Sequence, residues 1–311
     1  MNILTIIIWT IQLILIPVVS PLFIGLVRKV KARLQNRAGA SIFQPYFDLW
    51  KLFHKDEVIS TDASWIFRFA PYLIFSITLI IGASIPLFST VFSNNNMSDF
   101  LVIVYLVALS TFFLALAGMD VGSGFGGFGA SREMTVAALT EGGLILSLLA
   151  VAFVAHSTNL FVISEFISQM SLFSFAPIFL AFSAFVIAML AETGRFPFDN
   201  PATHLELTMI HEAMILEYSG KRLALIEWSA ANKFLIFLAL GVNLFFPWGI
   251  SGTFDLQNSI FALIIFFVKI GAMSLAVAVL ESTIAKMRYF RLPDLLAVSF
   301  ILSVIAIILI I

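Results

Sequence analysis

The chain has 311 residues, 61% hydrophobic and only 11% charged, with a formal net charge of −1 and a mean hydropathy of +1.06. An ordinary soluble domain carries about 25% charged residues, so this composition cannot clothe a water-facing surface and indicates an integral membrane protein. Cysteine is absent, which excludes thiolate-held clusters, Cys-ligated zinc, thiol nucleophiles and disulfides within the chain, and the charge balance gives no sign of nucleic-acid binding.

The first apolar run, 3–27, has no basic residue before it and is long enough for a span of about 20 residues. It is expected as a transmembrane helix, not a cleaved leader, with Arg28, Lys29, Lys31 and Arg33 as its stop-transfer cluster. Further runs at 69–91, 100–119, 134–155, 174–191, 231–250, 258–281 and 293–311 complete eight expected spans, each able to cross about 30 Å of hydrocarbon. The fold class is therefore all-α, one polytopic domain over 1–311.

With eight spans the connectors alternate between two sides. One side carries Arg28, Lys29, Lys31, Arg33, Arg37, Lys51, Lys55, Arg68, Arg132, Arg195, Lys221, Arg222, Lys286, Arg288 and Arg291; the other carries no Lys or Arg. The positive-inside rule then places both termini outside the cell membrane and the charged connectors in the cytoplasm. Insertion topology explains the bases but not the accompanying carboxylates, so a soluble partner is expected on that side.

Connector 28–68 contains Phe43, Phe47, Trp50, and near them Leu49 and Phe53, at helical spacing, with Asp48, Lys51 and Lys55 largely elsewhere. This predicts an interfacial amphipathic helix. It serves either as a membrane anchor or, with Gln44 and Pro45, as the frame of a pocket or partner contact. Connector 119–133 holds five glycines in 122–129, permitting positive φ and close backbone approach, and lacks the ending of a phosphate loop. In the helix that follows, Glu133 and Glu141 share a stripe. A carboxylate two turns into an apolar helix costs at least about 2.5 kcal/mol and normally faces a bundle interior or water; Glu141 is either a proton carrier or a packing group paired with a base.

Connector 192–230 is the richest. Prolines and a glycine within 194–201 end the preceding helix, and a helix from Thr203 to Gly220 is expected, aligning Glu206 with Glu217. Glu192 and Asp199 precede them, beside Arg195. Acids in file near membrane depth suggest a hydrated proton or ion path. His204 and His211, seven apart, would need a third ligand to hold a metal, and are expected as ordinary polar or relay groups. Lys269, mid-span, either snorkels or pairs with an intramembrane carboxylate, Glu141 being one candidate. No nucleophile–base constellation, cofactor fingerprint or internal repeat is present, so any redox centre lies in another chain.

Taken in order, the QNRxG…QPxxDxxKL segment, GxGASRE ahead of a helix with an internal Glu, AETxRxPFD and EYSG resemble the H subunit of respiratory complex I. More closely they resemble formate hydrogenlyase subunit 4 and related anchor subunits of energy-converting nickel–iron hydrogenases, over essentially the whole chain. Asp120-Val-Gly-Ser, Gly129-Ala-Ser-Arg-Glu, Phe246-Pro-Trp-Gly and Lys269 favour that hydrogenase branch. The resemblance implies a non-catalytic membrane subunit with no cofactor of its own. Its partners would be nickel–iron and iron–sulfur arm subunits and antiporter-like membrane subunits, and it would link electron transfer to proton or sodium movement.

By motif position the resemblance assigns Glu141, Glu192, Arg195, Asp199, Glu206 and Glu217 to the ion path, with Glu133, His204 and Lys269 as further candidates. It assigns Arg37, Gln44, Pro45, Asp48 and Lys51 to a partner- or quinone-facing region. After PFD the family's acidic run is replaced by Ala202-Thr203-His204, and Ala40 stands where members often have Pro. These departures argue against quinone binding. A quinone-lining complex I-type subunit and a stand-alone ion transporter are the alternatives.

Overall fold

The computed structural model describes residues 3–90, 98–170, 176–199, 209–252 and 255–311. Eleven α-helices are found among them: α1 (Ile3–Leu34), α2 (Gln44–Phe53), α3 (Trp65–Ser84), α4 (Phe100–Asp120), α5 (Gly124–Ala155), α6 (Leu160–Ser168), α7 (Ala176–Glu192), α8 (His211–Ile215), α9 (Gly220–Phe245), α10 (Leu256–Thr283) and α11 (Leu292–Ile310). The described residues contain no strand, only isolated bridges such as Ser89 with Ser251. Seven of the helices are long and apolar enough to cross a membrane, and α7 is a shorter apolar helix. The chain is an all-α, multi-pass integral membrane protein.

Local chemistry sets several helix starts. Ser64, Asp99 and Asn159 take extended backbone and accept from the N–H two residues on, in Ile66, Leu101 and Phe161, satisfying donors that a helix leaves orphaned. Several boundaries differ from the sequence expectation: α1 runs on through the basic cluster to Leu34, and α3 covers Trp65–Ser84 where 69–91 is expected. The glycine-rich stretch is not a loop: Gly122 alone turns the chain, at φ +70°, and α5 begins at Gly124. Its glycines provide room instead. A Cβ on Gly126 would collide with the Gly118 carbonyl oxygen, and one on Gly129 would lie 2.8 Å from the Ala213 Cβ, so α4, α5 and α8 pack at backbone distance. Likewise α9 starts at Gly220, eleven residues before the apolar run, because its first turns mix polar and apolar residues and are held by tertiary contacts.

In the bundle α9 packs against α1, α2, α3, α6, α7 and α10, while α5 joins α4, α7 and α11. From Phe234 to Phe245 every residue of α9 is buried. Its two asparagines are satisfied there: Asn232 Oδ1 accepts from Ser20 and its Nδ2 donates to Thr78, while Asn243 Nδ2 donates to the carbonyls of Pro86 and Leu87. An unsatisfied amide at this depth would cost several kcal/mol. The ends of α1, α4, α7 and α10 meet the starts of α3, α5 and α9, as Ser64 bonded to Asp120 and Lys31 paired with Glu281 show. That end of the molecule holds the functional site.

Candidate functional site

Where these ends converge, a cavity of about 260 Å³ opens among α1, α2, α3, α4, α5, α8, α9, α10 and the segment after α7. Its wall carries Asp48, Glu133, Glu192, Asp199, Glu212, Glu227 and Glu281, together with Arg28, Lys31, Arg195, Lys233 and His211.

The segment after α7 supplies the centre. Gly194, at φ +58°, reverses the chain, and the Arg195 N–H donates back to the Leu190 carbonyl at 2.9 Å. The Arg195 guanidinium then lies 3.6 Å above the Phe234 ring and pairs with Glu281 at 2.6 Å. The second oxygen of Glu281 pairs with Lys31, also at 2.6 Å. Three elements distant in sequence thus share one buried carboxylate. Burial pulls the Arg195 guanidinium below its usual range, with Glu281 opposing that pull and nearby Arg28 adding to it; it stays a cation.

A second pair joins Glu192, at the end of α7, to Lys233 of α9 at 2.8 Å, and Lys233 also donates to Thr111 of α4 at 3.2 Å. The third is Asp199 with Lys286 at 2.7 Å. The other oxygen of Asp199 accepts from the N–H groups of Ile210 and His211, fixing the start of α8. Burial holds the His211 imidazole below its ordinary pKa, reinforced by Lys233 and opposed by Asp199, so it is neutral at pH 7. Glu133 and Glu227 reach the wall without an ion pair among the described residues. The site therefore offers four locked ion pairs, two of them sharing Glu281, beside free carboxylates, an arrangement able to hold water and pass protons.

On the α2 side, Pro45, Asp48 and Leu49 line the cavity, and Gln44 donates to Asp48 at 2.8 Å. Leu49 faces inward, not with Phe43, Phe47 and Trp50, which are 58%, 63% and 69% exposed; the helix is apolar on two faces, one toward protein and one outward.

The structure thus brings together Glu133, Glu192, Arg195, Asp199, Gln44, Pro45 and Asp48. Other expected residues lie elsewhere. Glu141 is half-buried on α5 but off the cavity wall, and Arg37 and Lys51 are exposed. Lys269 does not pair with Glu141: its ammonium donates to Asn243 Oδ1 and the Phe246 carbonyl, both at 2.9 Å, where the last carbonyls of α9 lack partners. The expected Thr203–Gly220 helix is also absent from 209–219, where only α8 forms. Gly220, at φ +55°, opens α9 instead of closing a helix, and Glu217 is exposed away from the cavity. His204 and Glu206 lie outside the described residues.

Lys31, Lys233, Glu227, Glu281 and Lys286 were missed as site residues. The signal for Lys233 and Glu281 was present, since each is a charge within an apolar run. Among the described residues no group of three or more His, Asp or Glu is placed to hold a metal ion.

A family profile described as NADH dehydrogenase matches residues 6–311. Hydrogenase-4 component C of Escherichia coli is 35% identical over 95% of this chain and 92% of its own length. Formate hydrogenlyase subunit 4 of the same organism is 34% identical over 89% and 90%. NADH-ubiquinone oxidoreductase chain 1 of Chondrus crispus is 30% identical over 75% and 74%. Among solved structures, a chain of the membrane-bound sulfane sulfur reductase, an archaeal respiratory membrane complex, superposes with a TM-score of 0.83 at 22% identity, covering 98% of this chain and 99% of that one.

Proposed function

From the premise that the chain belongs to the NADH dehydrogenase family, we propose that it is the membrane subunit of an energy-converting hydrogenase or formate hydrogenlyase-type complex. It anchors a redox arm and couples electron transfer to proton or sodium movement. The hydrogenase and formate hydrogenlyase relatives, at 35% and 34% identity over most of the chain, support this branch. The observation that carries the coupling role is the cavity itself, where Glu133 lies among the locked pairs Glu192–Lys233 and Glu281–Lys31–Arg195.

Charge arriving in a neighbouring redox subunit changes the balance of such pairs, and a change of one pKa unit is worth 1.36 kcal/mol. A few coupled carboxylates are enough to bias proton uptake. The nickel–iron and iron–sulfur centres belong to partner subunits, since this chain has no cysteine to hold them. Antiporter-like membrane subunits complete the path. The basic connectors face the cytoplasm, both termini lie outside, and the membrane is the cell's inner membrane.

Ala202-Thr203-His204 in place of the family's acidic run argues against a quinone as the acceptor. Gentle detergent purification through this chain, with metal analysis and mass spectrometry of what accompanies it, tests the reading. Nickel with iron–sulfur and antiporter-like subunits is expected. Iron without nickel, accompanied by bound quinone, would replace it with a quinone-reducing complex; isolation alone with intrinsic ion flux would make it a transporter.

A further inference from the structure

The connector between α10 and α11, residues 284–291, has two faces. Its inner face is committed to the 195–199 turn and to α5. Lys286 pairs with Asp199 at 2.7 Å, the Met287 N–H donates to the Pro197 carbonyl at 3.0 Å, and the Arg132 guanidinium lies 5.8 Å from the centre of the Tyr289 ring. Arg132 in turn donates to the Met209 carbonyl at 3.3 Å, just ahead of α8. Tied at Lys286, Met287 and Tyr289, the connector is held in one shape before anything meets it, which lowers the entropy cost of binding.

The outer face carries what the fold leaves unused. Phe290 is 89% exposed, the most open large apolar side chain among the described residues. Arg288 and Arg291 flank it on a single 3-10 turn; both are exposed, and neither pairs with a carboxylate among the described residues. Phe128 adds to this face from α5. It lies one turn before Arg132, on the stripe that reaches Tyr289, and is 63% exposed.

A soluble protein suits this face better than lipid. The 19 residues of α11 span about 28 Å at 1.5 Å per residue, close to the full hydrocarbon thickness. Phe290 precedes that span and stands outside it. Trp and Tyr suit headgroup depth because each has a polar handle; a phenyl ring has none and is covered best by an apolar pocket. The two unpaired guanidinium groups beside it need carboxylates. We propose that residues 284–291, with Phe128 beside them, dock a soluble subunit of the redox arm, Phe290 entering an apolar pocket whose acidic rim meets Arg288 and Arg291. The inference rests on the arm-anchoring reading and adds to it where the arm sits and the chemistry of its contact surface.

The test is gentle detergent purification through this chain from membranes holding the whole complex, with soluble and membrane subunits quantified by mass spectrometry. The double variant Arg288→Glu with Arg291→Glu is expected to lower the soluble subunits recovered per membrane subunit about tenfold, because like charges then face one another. Arg288→Lys with Arg291→Lys should retain them. Phe290→Ala should lower them by a similar factor, since truncating a seated aromatic anchor empties its pocket. Unchanged recovery with either the glutamate pair or Phe290→Ala would overturn the proposal, and a fall in co-purifying anionic phospholipid in its place would assign the face to the membrane. Loss of the membrane subunits together with the soluble ones would also overturn it, as damage to the fold and not to a docking face. A parent chain that brings down no soluble subunit would instead sink the arm-anchoring reading, and the inference with it.

Discussion

Lys233 shows how a single charge is fixed by its surroundings. Its ammonium holds Glu192, whose side chain is only 4% exposed, so removing the base leaves a carboxylate without its counter-charge. Lys233→Met is expected to cost about 3–5 kcal/mol, and the double variant Lys233→Met with Glu192→Gln to recover more than half of that loss. Thermal unfolding of the purified complex in a double-mutant cycle reads this directly. His211 gives a pH signature of its own. Its folded-state pKa lies below the ordinary value of about 6.5, so the unfolded chain binds the proton more readily. The stability linked to this residue is full above about pH 6.5 and is lost as pH falls from there toward the folded-state value. Melting temperature measured against pH should show that acid limb in the parent and a shallower one in His211→Gln. The acids and bases of the 192–199 segment stood out in the sequence because they are crowded together. Glu281 was marked only as a charge at the end of an apolar run, since its partners, Lys31 on α1 and Arg195 after α7, are remote along the chain and meet it only in the fold.

Among the helices, the glycines of α5 divide into two kinds. Gly126 faces the α4 backbone, whereas a Cβ on Gly127 would meet nothing within 4 Å. Gly126→Ala is therefore expected to destabilise the protein by about 1–3 kcal/mol through overpacking. Gly127→Ala should be neutral or stabilising by up to about 1 kcal/mol, because alanine is the better helix former. Unfolding of the two variants side by side distinguishes packing from backbone freedom. The sequence pattern announced close approach somewhere in this stretch but could not say which glycines made it, nor that the stretch was helical. Lys269 teaches the same lesson at the other end of the bundle. Since it caps α9 through Asn243 and Phe246, its loss and that of Glu141 should not interact. The stability changes of Lys269→Met and Glu141→Gln are expected to add within about 0.5 kcal/mol, and a coupling well beyond that would restore a link between them.

Over the whole molecule, the cavity changes which acids matter for coupling. Glu133 and Glu192 lie on its wall while Glu217 is exposed away from it. Replacing Glu133, which is in no ion pair among the described residues, with Gln should leave the complex assembled and turning over yet sharply lower the ions moved per electron pair, measured in membrane vesicles. Glu217→Gln should leave that ratio as it was. Equal ratios in both variants would show that the cavity takes no part in ion movement.

The sequence by itself determined that this is an all-α, multi-pass membrane protein, because hydropathy and charge are summed over long runs and need no knowledge of neighbours. It also marked the 192–199 turn and α2 as exceptional, since prolines, glycine and amphipathic spacing are local signals. Only the tertiary structure decided which charges meet. Lys233, Lys31 and Glu281 lie inside or beside apolar runs on separate helices, and a helix reports its own faces but not what lies across them. Ion pairing within a bundle is set by helix rotation and close packing at glycines such as Gly126 and Gly25, and those are properties of the assembled fold.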